Sequence, residues 1–318
     1  MKTSTSYAQA TPSLALLKYW GKHNPKKNIP ATTSIAINLS DELHTYARVS
    51  FSSQDTVVIQ EKNQDMRRYK NFLHAIRTRI RSSHKYKIVF SGTVPFASGL
   101  AGSSSAFAAL TAAIANLEQH HCSTRDLSSL ARWGSVSASR AVLGGFTRFQ
   151  AKKDYAEQLF PADYWKELRI IINITSYQEK HLSSRDAMIR TKNTSTYYPT
   201  WLRTARSFEK DFYHALKRKD IEAVGEFMRY SYLHMFATML TSTPPILYWN
   251  STSIALLHAA TTMRKAGIPI WETMDAGPHV KFITLTQSVP DVLAHTRIIK
   301  GVLKSIVSTI GEGVRIIS

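Results

Sequence analysis

The chain has 318 residues, 43% of them apolar, with 41 Lys and Arg against 22 Asp and Glu for a formal charge of +19. That composition excludes a disordered or fibrous chain, and the excess of positive charge favours anionic partners, whether polyanions or phosphorylated metabolites. The only cysteine is Cys122, the N-terminal residues lack an apolar signal core, and no apolar run reaches the length of a membrane span, so the expected location is the cytoplasm.

In chain order, Thr11 to Lys22 is apolar and then abruptly charged, which predicts a strand ending in a turn. Ile29 to Leu39 alternates and is β-branched, so a single strand is expected there, followed by strands at Thr45–Phe51 and Thr56–Gln60. Met66, Tyr69, Leu73, Ile76 and Ile80 recur at helical spacing within a basic stretch that includes Arg67, Arg68, Lys70, Arg77, Arg79 and Arg81. This reads as an amphipathic helix with a solvated basic face, and no nucleic-acid-binding motif accompanies it.

Tyr86 to Phe90 reads as the next strand. A loop of small residues follows, Pro95-Phe-Ala-Ser-Gly99-Leu-Ala-Gly102-Ser103-Ser104-Ser105, and then an Ala/Leu-rich helix to about Leu117. Strand, Gly/Ser loop and helix N-terminus together present free backbone N–H groups to an anion. The same pattern also serves as a plain tight connection. There is no lysine in the loop, so it is not a P-loop.

Further on, Ser123 or Thr124 caps a helix over Asp126–Trp133, and Gly134-Ser135-Val-Ser137-Ala-Ser139-Arg140 is a second small-residue stretch carrying one arginine. Phe146–Phe149 and Leu168–Thr175 read as strands, and Tyr177–Met188 as polar chain. Residues 196–240 are helical with a break near Lys219, and a helix capped by Asn250 or Ser251 runs to Lys265. Strands at Ile270–Met274 and Val280–Leu285 flank a turn at Asp275-Ala-Gly277-Pro278-His279. A helix over Val289–Ser305 and a strand at Gly313–Ile317 close the chain. The change from strand-rich to helix-rich sequence places a boundary near Ser176, giving units 1–176 and 177–318.

Four segments occur together: Lys18-Tyr19-Trp20-Gly21-Lys22, Gly99-Leu-Ala-Gly102-Ser103-Ser104, Gly134-Ser135-Val-Ser137-Ala-Ser139-Arg140 and Met274-Asp275-Ala-Gly277-Pro278. With Leu182-Ser183-Ser184-Arg185 they resemble the diphosphomevalonate decarboxylases of the GHMP kinase superfamily, from about residue 8 onward. The resemblance implies an α+β, two-domain GHMP kinase fold: an N-terminal β/α sandwich of the ribosomal-protein-S5-like kind and a C-terminal ferredoxin-like domain, with the site between them. It also implies ATP and Mg²⁺ as cofactors, mevalonate 5-diphosphate as substrate, a homodimer, and no nucleic-acid or membrane partner.

By the same resemblance, Asp275, Lys18, Arg140 and Ser103 are the expected catalytic residues, with Ser103 also the expected magnesium ligand. Tyr19, Lys22, Ser135, Ser137, Arg140, Lys180 and Ser184 are expected around the substrate, and Pro95, Gly99, Leu100, Ala101, Gly102, Ser103 and Ser104 around ATP. Taken singly, these residues also fit bland roles: Asp275 as a turn residue, the lysines as solvated strand ends, the serines as helix-packing residues. Gly102, Thr33, His279 and Asp186-Ala187 depart from the residues common in the family. Two other activities fit parts of the pattern: a mevalonate-phosphate 3-kinase or phosphomevalonate decarboxylase, and a non-catalytic polyanion-binding protein.

Overall fold

The computed structural model describes residues 5–93, 102–178 and 180–317. Three sheets organise it. The first runs in the order Arg315–Ile317, Thr5–Ala10, Thr45–Ser52, Lys85–Gly92, Thr56–Ile59, Lys62–Asn63. Its pairs are antiparallel except Thr56–Ile59 beside Lys85–Gly92, where the amphipathic helix Arg67–Ile80 makes the crossover. That helix buries Tyr69, Phe72, Leu73, Ile76 and Ile80, the face its spacing predicts.

Behind this sheet lies the helix Gly102–Leu117, buried on almost every side. Its small side chains make that possible: Ala106, Ala108, Ala109, Ala112 and Ala113 let Ala8, Ala47, Val49 and Ile88 approach closely. The helix Thr124–Gly134 and the short helix Val136–Ala141 cover its other flank. Ser128 and Ser139 join these two reciprocally, each hydroxyl donating to the other's carbonyl at 3.0 and 2.7 Å. Gly134 touches Phe107 so closely that a Cβ there would fall 2.2 Å from the ring.

The second sheet has the order Glu157–Phe160, Phe146–Phe149, Ser34–Asn38, Ser13–Leu17, and the third has Ile270–Met274, Val280–Leu285, Leu168–Ile174, Lys304–Ser308. One apolar cluster joins them, with Leu14, Ile35 and Ile37 on one side and Ile170, Ile172, Trp271 and Ile283 on the other. Burial of this shared core holds the two halves of the chain together. It sets the end of Ser13–Leu17 beside the end of Ile270–Met274, so residues 257 apart in sequence meet.

Several sequence expectations change. Ile29 to Leu39 is not one strand: Ile29–Pro30 pairs with Lys22–Asn24, and only Ser34–Asn38 enters the sheet. Pro30 cannot donate to a ladder, which fits the break. The last helix is Val289–Arg297; beyond Ile298, Ile299 and Gly301 the chain becomes the strand Lys304–Ser308 along Leu168–Ile174. Polar residues 177–188 hide the start of a helix, Ser184–Thr194, capped by Ser183. Leu168–Ile174 pairs wholly with strands of residues 280–308, and Arg315–Ile317 pairs with Thr5–Ala10. The last strand thus returns to the sheet of the first. Among the described residues no helix is long and apolar enough to cross a membrane.

Candidate active site

Where the two halves meet there is a cleft of about 440 Å³. Its floor is the segment after Ser13–Leu17. Lys18 is buried and anchored at both ends: its backbone N–H donates to Ser231 Oγ at 2.8 Å, and its ammonium donates to the Ala15 carbonyl and to Asp275 Oδ1, each at 2.7 Å. The next residues are held by helices of the other half. Trp20 Nε1 donates to Thr191 Oγ1 at 2.8 Å, and Trp201 Nε1 donates to the Trp20 carbonyl at 3.0 Å. Gly21 has φ +94° and lies against the Tyr198 hydroxyl, where a Cβ would sit 1.9 Å from the oxygen.

Asp275 ends the strand Ile270–Met274, and its carboxylate takes Lys18 on Oδ1 at 2.7 Å and Lys281 on Oδ2 at 3.1 Å. Burial by itself raises this carboxyl's pKa, but the two ammoniums outweigh it and hold the group well below the usual carboxylate range. Burial lowers the Lys18 ammonium to about 8, against the opposing pull of Asp275.

Arg140 comes from the short helix Val136–Ala141. Its guanidinium is buried, donating from Nη1 to Ser34 Oγ at 2.7 Å and from Nε to Ser13 Oγ at 3.2 Å, with Tyr19 alongside. Among the described residues it has no carboxylate within ion-pair distance. A buried guanidinium held only by hydroxyls is an incomplete arrangement that a planar anion completes. Burial pulls its pKa down to about 10, with Tyr19 and Asp275 opposing.

Among the described residues, Lys18, Lys22, Arg68, Arg140, Lys180 and Arg185 are the cations lining the cleft, against the carboxylates of Asp186 and Asp275. Burial takes Lys22 down to about 7, aided by Arg185, Arg140 and Arg132, and takes Lys180 to about 8. Lys180 donates to Ser184 Oγ at 2.8 Å and to the Ala276 carbonyl at 3.1 Å. Ser135 and Ser137 bond to each other at 2.8 Å. Gly102 and Ser103, at the first turn of Gly102–Leu117, form the opposite wall.

The expected residues Lys18, Tyr19, Lys22, Gly102, Ser103, Ser135, Ser137, Arg140, Lys180, Ser184 and Asp275 thus share one cleft. Pro95, Gly99, Leu100 and Ala101 lie outside the described residues. Ser104 is not part of the lining: it is fully buried, and its Oγ accepts the Ser13 N–H at 3.0 Å, bracing the helix start against the strand that carries Lys18. Asp186 is drawn to its own helix cap, where Ser183 Oγ donates to it at 2.6 Å and accepts its N–H at 3.1 Å. His279 is buried and takes the Thr175 N–H on Nδ1 at 3.2 Å, bracing the Asp275 turn against the neighbouring strand.

Arg68, assigned to solvent by the basic-helix pattern, is exposed as expected and also lines the cleft, a contact that sequence reading missed. Sequence reading also missed Ser13 and Ser34, the supports of Arg140, and Lys281, the second partner of Asp275. Lys281 alternates within an apolar strand, and a lysine buried there was the available signal.

A Gly/Ser helix start, a basic cleft and a Lys–Asp pair beside it form a site suited to phosphorylated ligands. Residues 10–159 match the diphosphomevalonate decarboxylase-like N-terminal domain, and residues 170–312 match the mevalonate 5-diphosphate decarboxylase C-terminal domain. The diphosphomevalonate decarboxylase of Aspergillus fumigatus is 30% identical over 336 residues, spanning 96% of this chain and 81% of its own length. The mevalonate diphosphate decarboxylase structure from Staphylococcus aureus superposes with a TM-score of 0.92 at 31% identity, covering 99% of this chain and 98% of that one. A structure of MDDEF in complex with MVAPP, AMPPCP and magnesium superposes with a TM-score of 0.91 at 31% identity, covering 99% of both chains. The chain belongs to the diphosphomevalonate decarboxylase family.

Proposed function

We propose that Lys18, Arg140 and Asp275 carry the chemistry by which this family member converts mevalonate 5-diphosphate and ATP to isopentenyl diphosphate, ADP, phosphate and CO₂. The observation that carries the assignment is the Lys18–Asp275 pair at 2.7 Å set beside a guanidinium that, among the described residues, has no carboxylate within ion-pair distance. Arg140 takes the substrate carboxylate, because a planar fork of donors matches two carboxylate oxygens. That contact fixes the C3 hydroxyl near Asp275.

Asp275 orients the hydroxyl and receives its proton as the oxygen attacks the γ-phosphorus and the bond to ADP breaks. Lys18 offsets negative charge gathering at the transferred group. In the second stage the C1–C2 pair becomes the C2–C3 double bond, the C3–O bond breaks to release phosphate, and C1 leaves as CO₂.

The N-terminus of Gly102–Leu117 with Ser103 holds the nucleotide phosphates, and Lys22, Lys180 and Ser184 with Ser135 and Ser137 hold the substrate diphosphate. Among the described residues no group of three His, Cys, Asp or Glu could hold a metal. The Ser103 hydroxyl, an oxygen donor at the helix start, would hold a magnesium ion beside the nucleotide phosphates, and such an ion would neutralise part of their charge. The proposal also includes a cytoplasmic location, which the single cysteine supports, and the homodimer implied by family resemblance.

Incubated with mevalonate 5-diphosphate, ATP and Mg²⁺, the protein is expected to yield ADP and CO₂ in equal amounts. ADP without CO₂ identifies a 3-kinase instead, and turnover on the monophosphate alone identifies a phosphomevalonate decarboxylase.

The lowered pKa values of Lys22 and Lys180 give a pH prediction. Both lose charge as pH rises through about 7 and about 8, and the anionic substrate prefers the charged forms. The KM for mevalonate 5-diphosphate is therefore expected to climb over that interval. Substrate binding near its upper end is expected to draw protons from the buffer. Calorimetry in two buffers of different ionisation heat reads this directly, and equal heats in both refute it.

A further inference from the structure

We infer that Lys281 is a positioning residue for the reaction, holding Asp275 from the core side so that its carboxylate faces the substrate hydroxyl. The inference rests on the role proposed above for Asp275.

The argument starts from placement. Lys281 lies within the strand Val280–Leu285, paired with Thr273 on one side and Ile172 on the other, so its backbone is fixed by both neighbours. Its side chain is 4% exposed and does not line the cleft. The ammonium donates to Asp275 Oδ2 at 3.1 Å, and Asp275 is its only carboxylate partner among the described residues. Behind the pair is a void of about 10 Å³ walled by Leu14, Leu39, Leu43 and Ile172, too apolar to satisfy a charge.

Two lysines therefore grip one carboxylate from opposite sides. Lys18 approaches Oδ1 from the cleft floor, where it also meets the substrate. Lys281 approaches Oδ2 from inside the protein, where it meets none. With only Lys18, the carboxylate could rotate about its terminal torsion, which is broad for aspartate. With both, its plane is set. The remaining charged and titratable groups around Asp275 are Lys180, Arg140 and Tyr19, all on the cleft side. Among the described residues, Lys18 and Lys281 are the cations within ion-pair distance of Asp275, so on the core side Lys281 has no substitute.

The test is Lys281→Met, which keeps length and removes charge, with Lys281→Arg as the charge-preserving variant and Asp275→Asn in parallel. Expected for Lys281→Met is a fall in kcat on the order of 10–100-fold, as for loss of precise orientation. The KM for mevalonate 5-diphosphate stays within about 3-fold, since the residue lies outside the cleft. Lys281→Arg retains most of the parent's kcat, a rescue that a merely structural loss at this position would not show. A folded Lys281→Met protein with the parent's kcat overturns the inference, as does a loss of activity that tracks thermal stability or that Lys281→Arg does not restore. If Lys281→Met does not fold, Lys281→Gln is read by the same criteria. Asp275→Asn separates the levels: near-normal turnover there refutes the role of Asp275 itself, whereas an inactive Asp275→Asn beside a normal Lys281→Met refutes only the inference.

Discussion

Asp275→Asn is expected to lower kcat by roughly 10³-fold, within the range for removing a proton-accepting group from a transition state. The substitution keeps the shape of the side chain but not its charge. The amide can still accept one hydrogen bond from a lysine at 2.7 or 3.1 Å, but it cannot take a proton from the substrate hydroxyl. Lys18 and Lys281 are then left without a carboxylate partner among the described residues, so some loss of stability accompanies the loss of rate. Binding of mevalonate 5-diphosphate, which depends on Arg140 and the cations at the other end of the cleft, should change by less than about 3-fold. Steady-state kinetics with a thermal melt on the same sample decides the matter. A variant that keeps kcat within tenfold of the parent would remove Asp275 from the mechanism.

Arg140→Gln is the second large effect. Here the loss falls on both binding and rate, because the guanidinium fixes the carboxylate that later leaves as CO₂. Truncating one side of a buried charge pair costs about 3 kcal/mol, a factor on the order of 10² in kcat/KM. A glutamine still reaches toward Ser13 and Ser34, so the fold around the short helix survives better than with alanine. ATP turnover uncoupled from CO₂ release is expected to rise relative to product, since a loosely held substrate can be phosphorylated without losing its carboxylate in the right geometry. Unchanged coupling with unchanged kcat/KM would show that another group holds the carboxylate.

The sequence made the parts with local signals legible. The amphipathic spacing of Tyr69, Leu73, Ile76 and Ile80 marks the helix Arg67–Ile80, and the cap at Asn250 marks Ser251–Lys265. Lys18, Arg140 and Asp275 were picked out by the family resemblance of their segments, and the structure sets all three on one cleft. What was hidden depends on tertiary placement. Arg68 is exposed like its basic neighbours, and only the docking of that helix beside the cleft sets it within reach of the site. Ser104 lies in the same Gly/Ser loop as Ser103, but one step around the helix turns its hydroxyl from the cleft to the Ser13 backbone. The strand Lys304–Ser308 forms because a neighbour with open hydrogen-bonding groups awaits it, which no local propensity reveals.

The bonds that hold residues 18–20 also tie the two halves of the chain together. Lys18 and Trp20 follow a strand of one half and keep bonds to Ala15 and Thr32 within it, yet they are also fastened to Ser231, Thr191, Trp201 and Asp275 of the other. Ser231 and Thr191 stand outside the cleft, so a substitution at either reaches Lys18 and Trp20 through these bonds without touching a bound substrate.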